Sequence, residues 1–386
     1  MQLIENTKAL EELCTRLNQN PFVCIDLEFL RRQTYFAKLC LIQIADTNEA
    51  AIIDPLAPDI DLTPFFNLLQ NPNIVKVFHS GRQDIEILYN LTSQIPFPYF
   101  DTQIAAMAAG YGETVSYEFL VNHILNKTID KSSRLSDWSK RPLSQNQLSY
   151  ALSDVTHLVH IYTHLKNWLA SNNRTNWIDE ELSLITDEKL YQINPEEMWQ
   201  KIRHRSHSAH FLTILKELAS WREKRAINKN VPRQSFIKDD TLLNICANLP
   251  SNKEELCSIQ GLSHDLASGK IGDEIISVIQ NFKLLGKENY VTPPKIKDLP
   301  SFENSLFELI KLALKLTAQE HKISPRLIAS EDDLKIFCHD TNKDTNFLHG
   351  WRYEIFGSLA QKISLGQTTI TYDPVTHSIK FTDLSK

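Results

Sequence analysis

The sequence contains little glycine and no closely paired cysteines. Only 10 of its 386 residues are glycine and 16 are proline, which excludes collagen-like chains and Gly/Pro-rich low-complexity chains. The six cysteines are scattered and none belongs to a C-x-x-C pair, so we expect neither a disulfide scaffold nor a zinc ribbon. The N-terminal segment has acids within its first dozen residues and no basic, apolar leader, unlike a secretory signal.

Long apolar runs are also missing, because no uncharged stretch approaches the ~18 residues that a membrane helix needs. With 42% hydrophobic and 23% charged residues, the composition is typical of a globular enzyme. The length favours two or three domains. We therefore expect a cytoplasmic protein in a reducing compartment, without a membrane partner and, by default, a monomer.

The formal net charge of −6 conceals an uneven distribution. Residues 199–238 hold ten Lys or Arg against two acids, whereas residues 1–170 hold 13 basic and 18 acidic side chains. An acidic first half beside a basic middle is compatible with carboxylates that bind metal and cations that bind a polyanion. A solvated helix face explains the basic run equally well.

The apolar pattern changes along the chain. Short apolar runs predict strands, and three- to four-residue spacing between them predicts helices. This alternation favours a mixed α/β sheet with helices on its faces, followed after residue 101 by helical segments and finally a polar strand-like tail. The predicted strands are 22–27, 37–45, 50–53 and 74–78, the predicted helices include 61–69, 83–91, 211–225 and 306–320, and the tail is 368–374.

Four acids and one tyrosine form the candidate catalytic set. Asp26 and Glu28 are two residues apart near the end of the first strand, so their side chains share one face. Asp84 opens a helix after a strand, and Asp154 follows Tyr150 by four residues, which places both on one helix face. Singly, these signals are weak, since Asp84 alone is most often a helix N-cap. Together, three Asp and one Glu suit Mg²⁺ or Mn²⁺ rather than zinc.

The order and neighbours of these residues carry a family resemblance. The chain is similar to the ribonuclease D family of DEDD 3′→5′ exonucleases, whose third motif is Y-x-x-x-D, in the runs CIDLEFLRRQTYFAKLCLIQIAD, VFHSGRQDIEIL, FDTQIAA and KSSRLSDWSKRPLSQNQLSYALSDVTHL. The resemblance implies a ribonuclease-H-like mixed sheet with flanking helices. It also implies metal-binding roles for Asp26, Glu28, Asp84 and Asp154, with Tyr150 as the catalytic tyrosine. Such a set holds two divalent ions that hydrolyse a terminal phosphodiester.

A second resemblance follows the nuclease segment. The runs LKELASWREKRAINKNVPRQSFIKDDTLLNICANLP and LCSIQGLS are similar to the helicase-and-RNase-D C-terminal (HRDC) domain. This implies a helical bundle that contacts the RNA backbone through Arg222, Arg225, Lys229 and Arg233; a bundle used only for packing is the alternative. LHGWRYEIFG resembles a second, HRDC-like bundle, so we expect two all-α bundles after the α/β domain.

The expected division of the chain has three domains and two linkers. These are an exonuclease domain over 1–170, a helical linker over 171–208, the HRDC domain over 209–290, a proline-rich linker over 291–300 and a second helical domain over 301–386.

Further side chains near the motifs are candidates for substrate contact. Leu27, Phe29 and Tyr35 flank the first motif, where an aromatic or apolar side chain can stack on the terminal base; core packing is the alternative for Leu27. His79 is a candidate phosphate contact or a structural histidine. The cations before the third motif are candidates for holding the incoming backbone or belong to an ordinary charged surface: Lys131, Arg134, Lys140 and Arg141.

These features predict a 3′→5′ exoribonuclease that acts on RNA with a single-stranded 3′ end, such as a tRNA precursor, and releases nucleoside 5′-monophosphates. A DNA 3′→5′ exonuclease is the first alternative, because no single residue shows how a 2′-hydroxyl would be read. A catalytically silent RNA-binding scaffold is the second, although all four ligand positions carry acids.

Overall fold

The computed structural model describes residues 2–206, 208–292, 305–341 and 343–384. The proline-rich linker predicted over 291–300 lies, apart from its first two residues, outside this described part. Among the described residues, no helix combines the length and the apolar character needed to cross a membrane.

The first part of the chain forms the mixed sheet that the sequence predicts. Six strands lie in the order β1-β4-β3-β2-β5-β6, with the pairs β2–β3 and β3–β4 antiparallel and the other three parallel. The four predicted strands are confirmed, while the two edge strands of three residues each were not predicted because they are too short to show alternation. The strands are β1 (Gln2–Ile4), β2 (Phe22–Leu30), β3 (Lys38–Ala45), β4 (Ala50–Ile53), β5 (Val75–Phe78) and β6 (Tyr99–Asp101).

Helices cover both faces of this sheet, and the longest one crosses the strands that carry the candidate site. Its start is fixed by Ser144 and Gln147, which form a capping box. Its apolar side packs on the sheet through Ala151, Val155 and Leu158. The helices of this part are α1 (Thr7–Leu17), α2 (Thr63–Leu69), α3 (Arg82–Thr92), α4 (Thr102–Ala108), α5 (Tyr117–Leu125) and α6 (Gln145–Ser171).

The middle of the chain is helical, as predicted. Short 3₁₀ turns and one helix, α7 (Asp179–Ile185), connect α6 to a bundle with its own apolar core, which includes Leu215, Ile245 and Ile279. The bundle consists of α8 (Ala209–Lys229), α9 (Arg233–Phe236), α10 (Asp239–Asn248), α11 (Lys253–Cys257), α12 (His264–Ser268) and α13 (Lys270–Lys283).

The last part of the chain is helix-rich and ends in a hairpin. Its helices share one apolar core with α4, α5 and α6, since Phe307 and Phe356 belong to the same cluster as Leu120 and Leu165. The hairpin contains the strand-like tail noted in the sequence. The elements are α14 (Ser305–His321), α15 (Pro325–Ile328), α16 (Glu331–His339), α17 (Gly350–Arg352), a π-helical turn (Tyr353–Gly357), α18 (Ser358–Ser364), β7 (Thr368–Asp373) and β8 (Ser378–Asp383).

Candidate active site

Three of the four predicted carboxylates meet between the central strand and the long helix. Asp26 and Glu28 project from the same face of β2. Asp154 reaches them from the third turn of α6. One carboxylate oxygen from each of these residues lies within 4.8 Å of the other two. The strand register shifts by a bulge directly after Glu28, and bulges of this kind re-aim side chains next to active sites. The fold therefore assembles a compact, oxygen-only donor set.

Asp84 lies beside this group without being part of it at that distance. It occupies the first turn of α3 and is 8% exposed. The negative charge of Asp26 helps raise the pKa of Asp84, so the two carboxylates are electrostatic neighbours. All four predicted acids are thus in one region, which Asp84 reaches from α3 and the other three reach from β2 and α6.

The position of Asp84 depends on the turn between β5 and α3. The carboxylate of Asp101 accepts the backbone N–H groups of Ser80 and Gly81, both at 3.0 Å. A side chain at Gly81 would place its Cβ 2.6 Å from the Cβ of Phe78, a distance that only glycine avoids. Sequence reasoning missed Asp101, because it belongs to β6, a strand too short to be predicted.

The surroundings of the four carboxyl groups disfavour their charged form. Burial raises the pKa of Asp26, Glu28, Asp84 and Asp154 above the usual carboxyl range, and for the last three the charges of neighbouring carboxylates add to the effect. Arg134 offsets part of it for Glu28 and Asp154. Buried like charges of this kind either bind protons or recruit a cation. Carboxylate oxygens are the ligands preferred by Mg²⁺ and Mn²⁺, so the residues present fit a divalent metal ion.

Tyr150 lies one helical turn before Asp154, as its spacing predicts. Burial, together with the charges of Asp154 and Glu28, raises the pKa of its hydroxyl above the usual value for tyrosine. The phenol is therefore protonated at neutral pH and acts as a hydrogen-bond donor rather than a base. A second tyrosine, Tyr117, was not predicted: its hydroxyl donates to the backbone carbonyl of Asp154 and fixes this turn of α6 from the α5 side.

Asp26, Glu28 and Asp154 line a cleft of about 390 Å³. Most of the predicted substrate-contact residues of the first half line it, namely Leu27, Phe29, His79, Lys131 and Arg134. Within this group Lys131 forms an ion pair with Glu118. The Nδ1 atom of His79 lies 3.0 Å from the hydroxyl oxygen of Thr102, which orients the ring towards the cleft.

Two predicted contacts lie elsewhere. Tyr35 points away from the cleft, because its hydroxyl donates to Glu223 of α8. Arg141 forms two hydrogen bonds with the buried carboxylate of Asp54, at 2.5 and 2.6 Å, so it supports the sheet edge and is not available to RNA.

The structure corrects one residue of the basic cluster. Arg222 is 0% exposed; it donates to the carbonyl of Ile237 at 2.8 Å and pairs with Asp239 at 2.7 Å. Since a buried guanidinium held in this way cannot reach an RNA backbone, the prediction for Arg222 is wrong.

The other three predicted cations of this cluster reach the surface to different extents. Arg225 is paired with Glu274, and Arg233 lies 3.7 Å from the carboxylate of Glu223. Lys229 is exposed and its ammonium lies 5.1 Å from the ring centre of Phe236. None of the three lines the cleft that contains the acids, so any contact they make with RNA lies outside it.

Matches to protein-family models show the class of enzyme to which the chain belongs. A family model described as 3′-5′ exonuclease matches residues 1–170, and an HRDC domain model matches residues 211–279. The mixed sheet and its carboxylate cleft therefore belong to a 3′→5′ exonuclease, a class whose activity depends on divalent metal ions.

Relatives over the full chain define the family. The chain is 41% identical over 357 residues to ribonuclease D of Sphingobium indicum, covering 92% of each chain, and 42% identical over 360 residues to ribonuclease D of Zymomonas mobilis, covering 93% of this chain and 92% of that one. The crystal structure of Escherichia coli RNase D, an exoribonuclease involved in structured RNA processing, superposes with a TM-score of 0.79 at 27% identity, over 95% of this chain and 98% of that chain. The chain belongs to the ribonuclease D family and is a 3′→5′ exoribonuclease.

Proposed function

We propose that this exoribonuclease removes nucleoside 5′-monophosphates one at a time from RNA 3′ ends, using two divalent ions, Mg²⁺ or Mn²⁺, held by Asp26, Glu28, Asp84 and Asp154. The observation that carries the proposal is the approach of three carboxylates, one buried and two partly buried, to within 4.8 Å of one another. Without a cation this arrangement costs free energy, because burial disfavours each charged carboxylate. Ions bound there would supply an activated water and charge that offsets the departing 3′-oxyanion.

The residues of the chain divide the remaining work. The hydroxyl of Tyr150 donates a hydrogen bond that orients the attacking water, and its raised pKa keeps the proton on the phenol. Water adds to phosphorus, the P–O3′ bond breaks, and the shortened RNA keeps a 3′-hydroxyl. Leu27 and Phe29, which line the cleft, contact the terminal nucleotide, while Arg134 and Lys131, which line the same cleft, contact its phosphate.

The family and the cysteines support a proposal for the biological setting. RNA with a single-stranded 3′ end, in particular a tRNA precursor, is the proposed substrate, and HRDC domains bind nucleic acid. All six cysteines are free, which supports a reducing cytoplasm. We propose a monomer. The proposed division of the chain is 1–170 for the exonuclease, 171–208 for a helical linker, 209–290 for the HRDC domain, 291–300 for a second linker and 301–386 for the C-terminal domain.

The test is degradation of 3′-labelled RNA and DNA oligonucleotides with Mg²⁺, with Mn²⁺ and with EDTA, by the wild type and by Asp26→Asn. Metal-dependent release of mononucleotides from RNA that is lost in the variant is the expected result. Equal or faster hydrolysis of DNA would favour a DNA exonuclease, and binding without hydrolysis would favour a silent scaffold. A tRNA precursor with a short 3′ trailer tests the proposed substrate.

A further inference from the structure

The loop that follows the catalytic strand is fastened to the HRDC segment. Residues 31–37 join β2 to β3 as a series of bends. The side-chain oxygen of Asn230 accepts the backbone N–H groups of both Tyr35, at 3.1 Å, and Phe36, at 3.3 Å. The hydroxyl of Tyr35 donates to Glu223. One loop of the nuclease is thus held at three points by residues at the C-terminal end of α8.

The Glu223 carboxylate is buried at this contact. Glu223 is 0% exposed, and a buried carboxylate is stable only when other groups compensate its charge. Tyr35 supplies a hydrogen bond from one side, and Arg233 supplies positive charge at 3.7 Å from the other. Since hydrogen bonds to a carboxylate are stronger than those between neutral groups, the Tyr35–Glu223 contact binds the loop to α8.

The same loop also contacts a second element of the site. Arg31 pairs with Glu86 at 2.9 Å, and Glu86 lies on α3 two residues beyond Asp84. Arg31 is the first residue of the loop and lies only three residues after Glu28, directly beyond the last β2–β3 pair, Leu30 with Lys38. The loop therefore lies between α8 and both elements that carry carboxylates on this side of the cleft.

We propose that Glu223 and Asn230 are positioning residues of the exonuclease: by holding loop 31–37 they fix the end of β2 and with it the side chains of Glu28 and Phe29. The HRDC segment then contributes to hydrolysis even of substrates that it does not touch. This inference rests on the proposed role of Glu28 as a metal ligand. If α8 only binds RNA, its variants should leave the hydrolysis of short substrates unchanged.

Asn230 offers a clean set of variants. Its φ of 48° is left-handed, a conformation that glycine and aspartate tolerate, so Asn230→Gly removes the acceptor without backbone strain and Asn230→Asp keeps it. Asn228→Ala, two residues earlier on the exposed surface of α8, is the matched control. An RNA dinucleotide is the probe, because it contains only the scissile phosphodiester and cannot extend to the HRDC segment.

We expect Asn230→Gly to lower kcat on the dinucleotide by about 10-fold, within the range that misplacement of a reacting group costs. The affinity for Mn²⁺ in calorimetry should fall in parallel. Asn230→Asp and Asn228→Ala should both match the wild type. Unchanged dinucleotide turnover in Asn230→Gly, with a raised KM for long RNA only, would overturn the proposal and assign α8 to RNA binding.

Amide hydrogen exchange tests the contact independently of catalysis. The amides of Tyr35 and Phe36 should be protected in the wild type and in Asn230→Asp, and should exchange at least 10-fold faster in Asn230→Gly. Equal exchange in all three proteins would refute the contact itself. If the wild type hydrolyses no RNA but the exchange pattern is as expected, the proposed function fails while the loop contact stands.

Discussion

Asp154→Asn should make the metal-free protein more stable at pH 8 while it abolishes hydrolysis. Burial and the nearby charge of Asp26 raise the pKa of Asp154 in the folded state, so the folded protein binds more protons than the unfolded chain above about pH 4. Stability is therefore lost as the pH rises from about 4 through the folded pKa of Asp154. An amide has the shape of the carboxylate without its charge, so the variant does not suffer this loss.

The size of the effect follows from the same linkage. A rise of one unit in a carboxyl pKa corresponds to about 1.4 kcal/mol at a pH above both values. Because Asp26 and Glu28 are only partly buried and the cleft admits water, we expect a gain of about 1–3 kcal/mol rather than the full amount that complete burial would give. For a domain of the size of residues 1–170, this raises the melting temperature by about 2–10 °C.

The assay is thermal unfolding in EDTA at pH 5 and at pH 8. At pH 5 the folded wild-type carboxyl is still protonated and only part of the loss has occurred, so the advantage of the variant should be smaller at pH 5 than at pH 8. Asp54→Asn is the matched control, because Asp54 is a buried acid paired with Arg141; it should destabilise the protein at both pH values. A loss of stability in Asp154→Asn that is the same at both pH values would refute the charge argument and make Asp154 an ordinary structural residue.

Three further predictions follow from the site and from the basic cluster. In the wild type at pH 8, Mg²⁺ at 100 times its dissociation constant should add about 2.7 kcal/mol to the free energy of unfolding, measured by chemical denaturation, and this gain should be smaller in Asp154→Asn. Tyr150→Phe should lower kcat by on the order of 10²-fold while the thermal shift caused by Mg²⁺ is unchanged. Arg222→Met should lower stability by about 1–3 kcal/mol, because it leaves the carbonyl of Ile237 without its buried donor; Lys229→Ala, an exposed control, should leave the melting temperature unchanged.

Local patterns in the sequence were enough to predict the central strands and to place candidate side chains on one face within each element. The D-x-E spacing on a strand and the Y-x-x-x-D spacing on a helix each place two side chains on one face, whatever the rest of the chain does. The structure places Asp26, Glu28 and Asp154 together at that junction. The convergence of β2 with α6, however, was inferred only from the family resemblance, because no local pattern encodes how two distant elements pack.

Contacts between distant segments could not be predicted from periodicity. Asp101, 17 residues beyond Asp84, holds the turn before it. Asn230, at the end of α8 in the helical bundle, holds loop 31–37 of the sheet. Arg222 is a different case, since a signal was present: on α8 it lies four residues from both Leu218 and Ala226, which are buried. Such a position belongs to the buried face of the helix. Counting the charges of the run without regard to this face placed Arg222 among the cations available to RNA.

The electrostatic character of the HRDC segment therefore depends on which of its cations are already neutralised. Four of the ten basic residues in 199–238 lie close to carboxylates, namely Arg222, Lys224, Arg225 and Arg233. By contrast Arg203 and Arg205 are exposed, and within the described ranges neither forms an ion pair. Because a phosphate backbone is attracted by cations whose charge is not already compensated, the sequence before α8 offers more to RNA than the W-R-x-x-x-A run itself. The paired cations of α8 instead fasten the helix to its neighbours, which is what a positioning role for Glu223 and Asn230 requires.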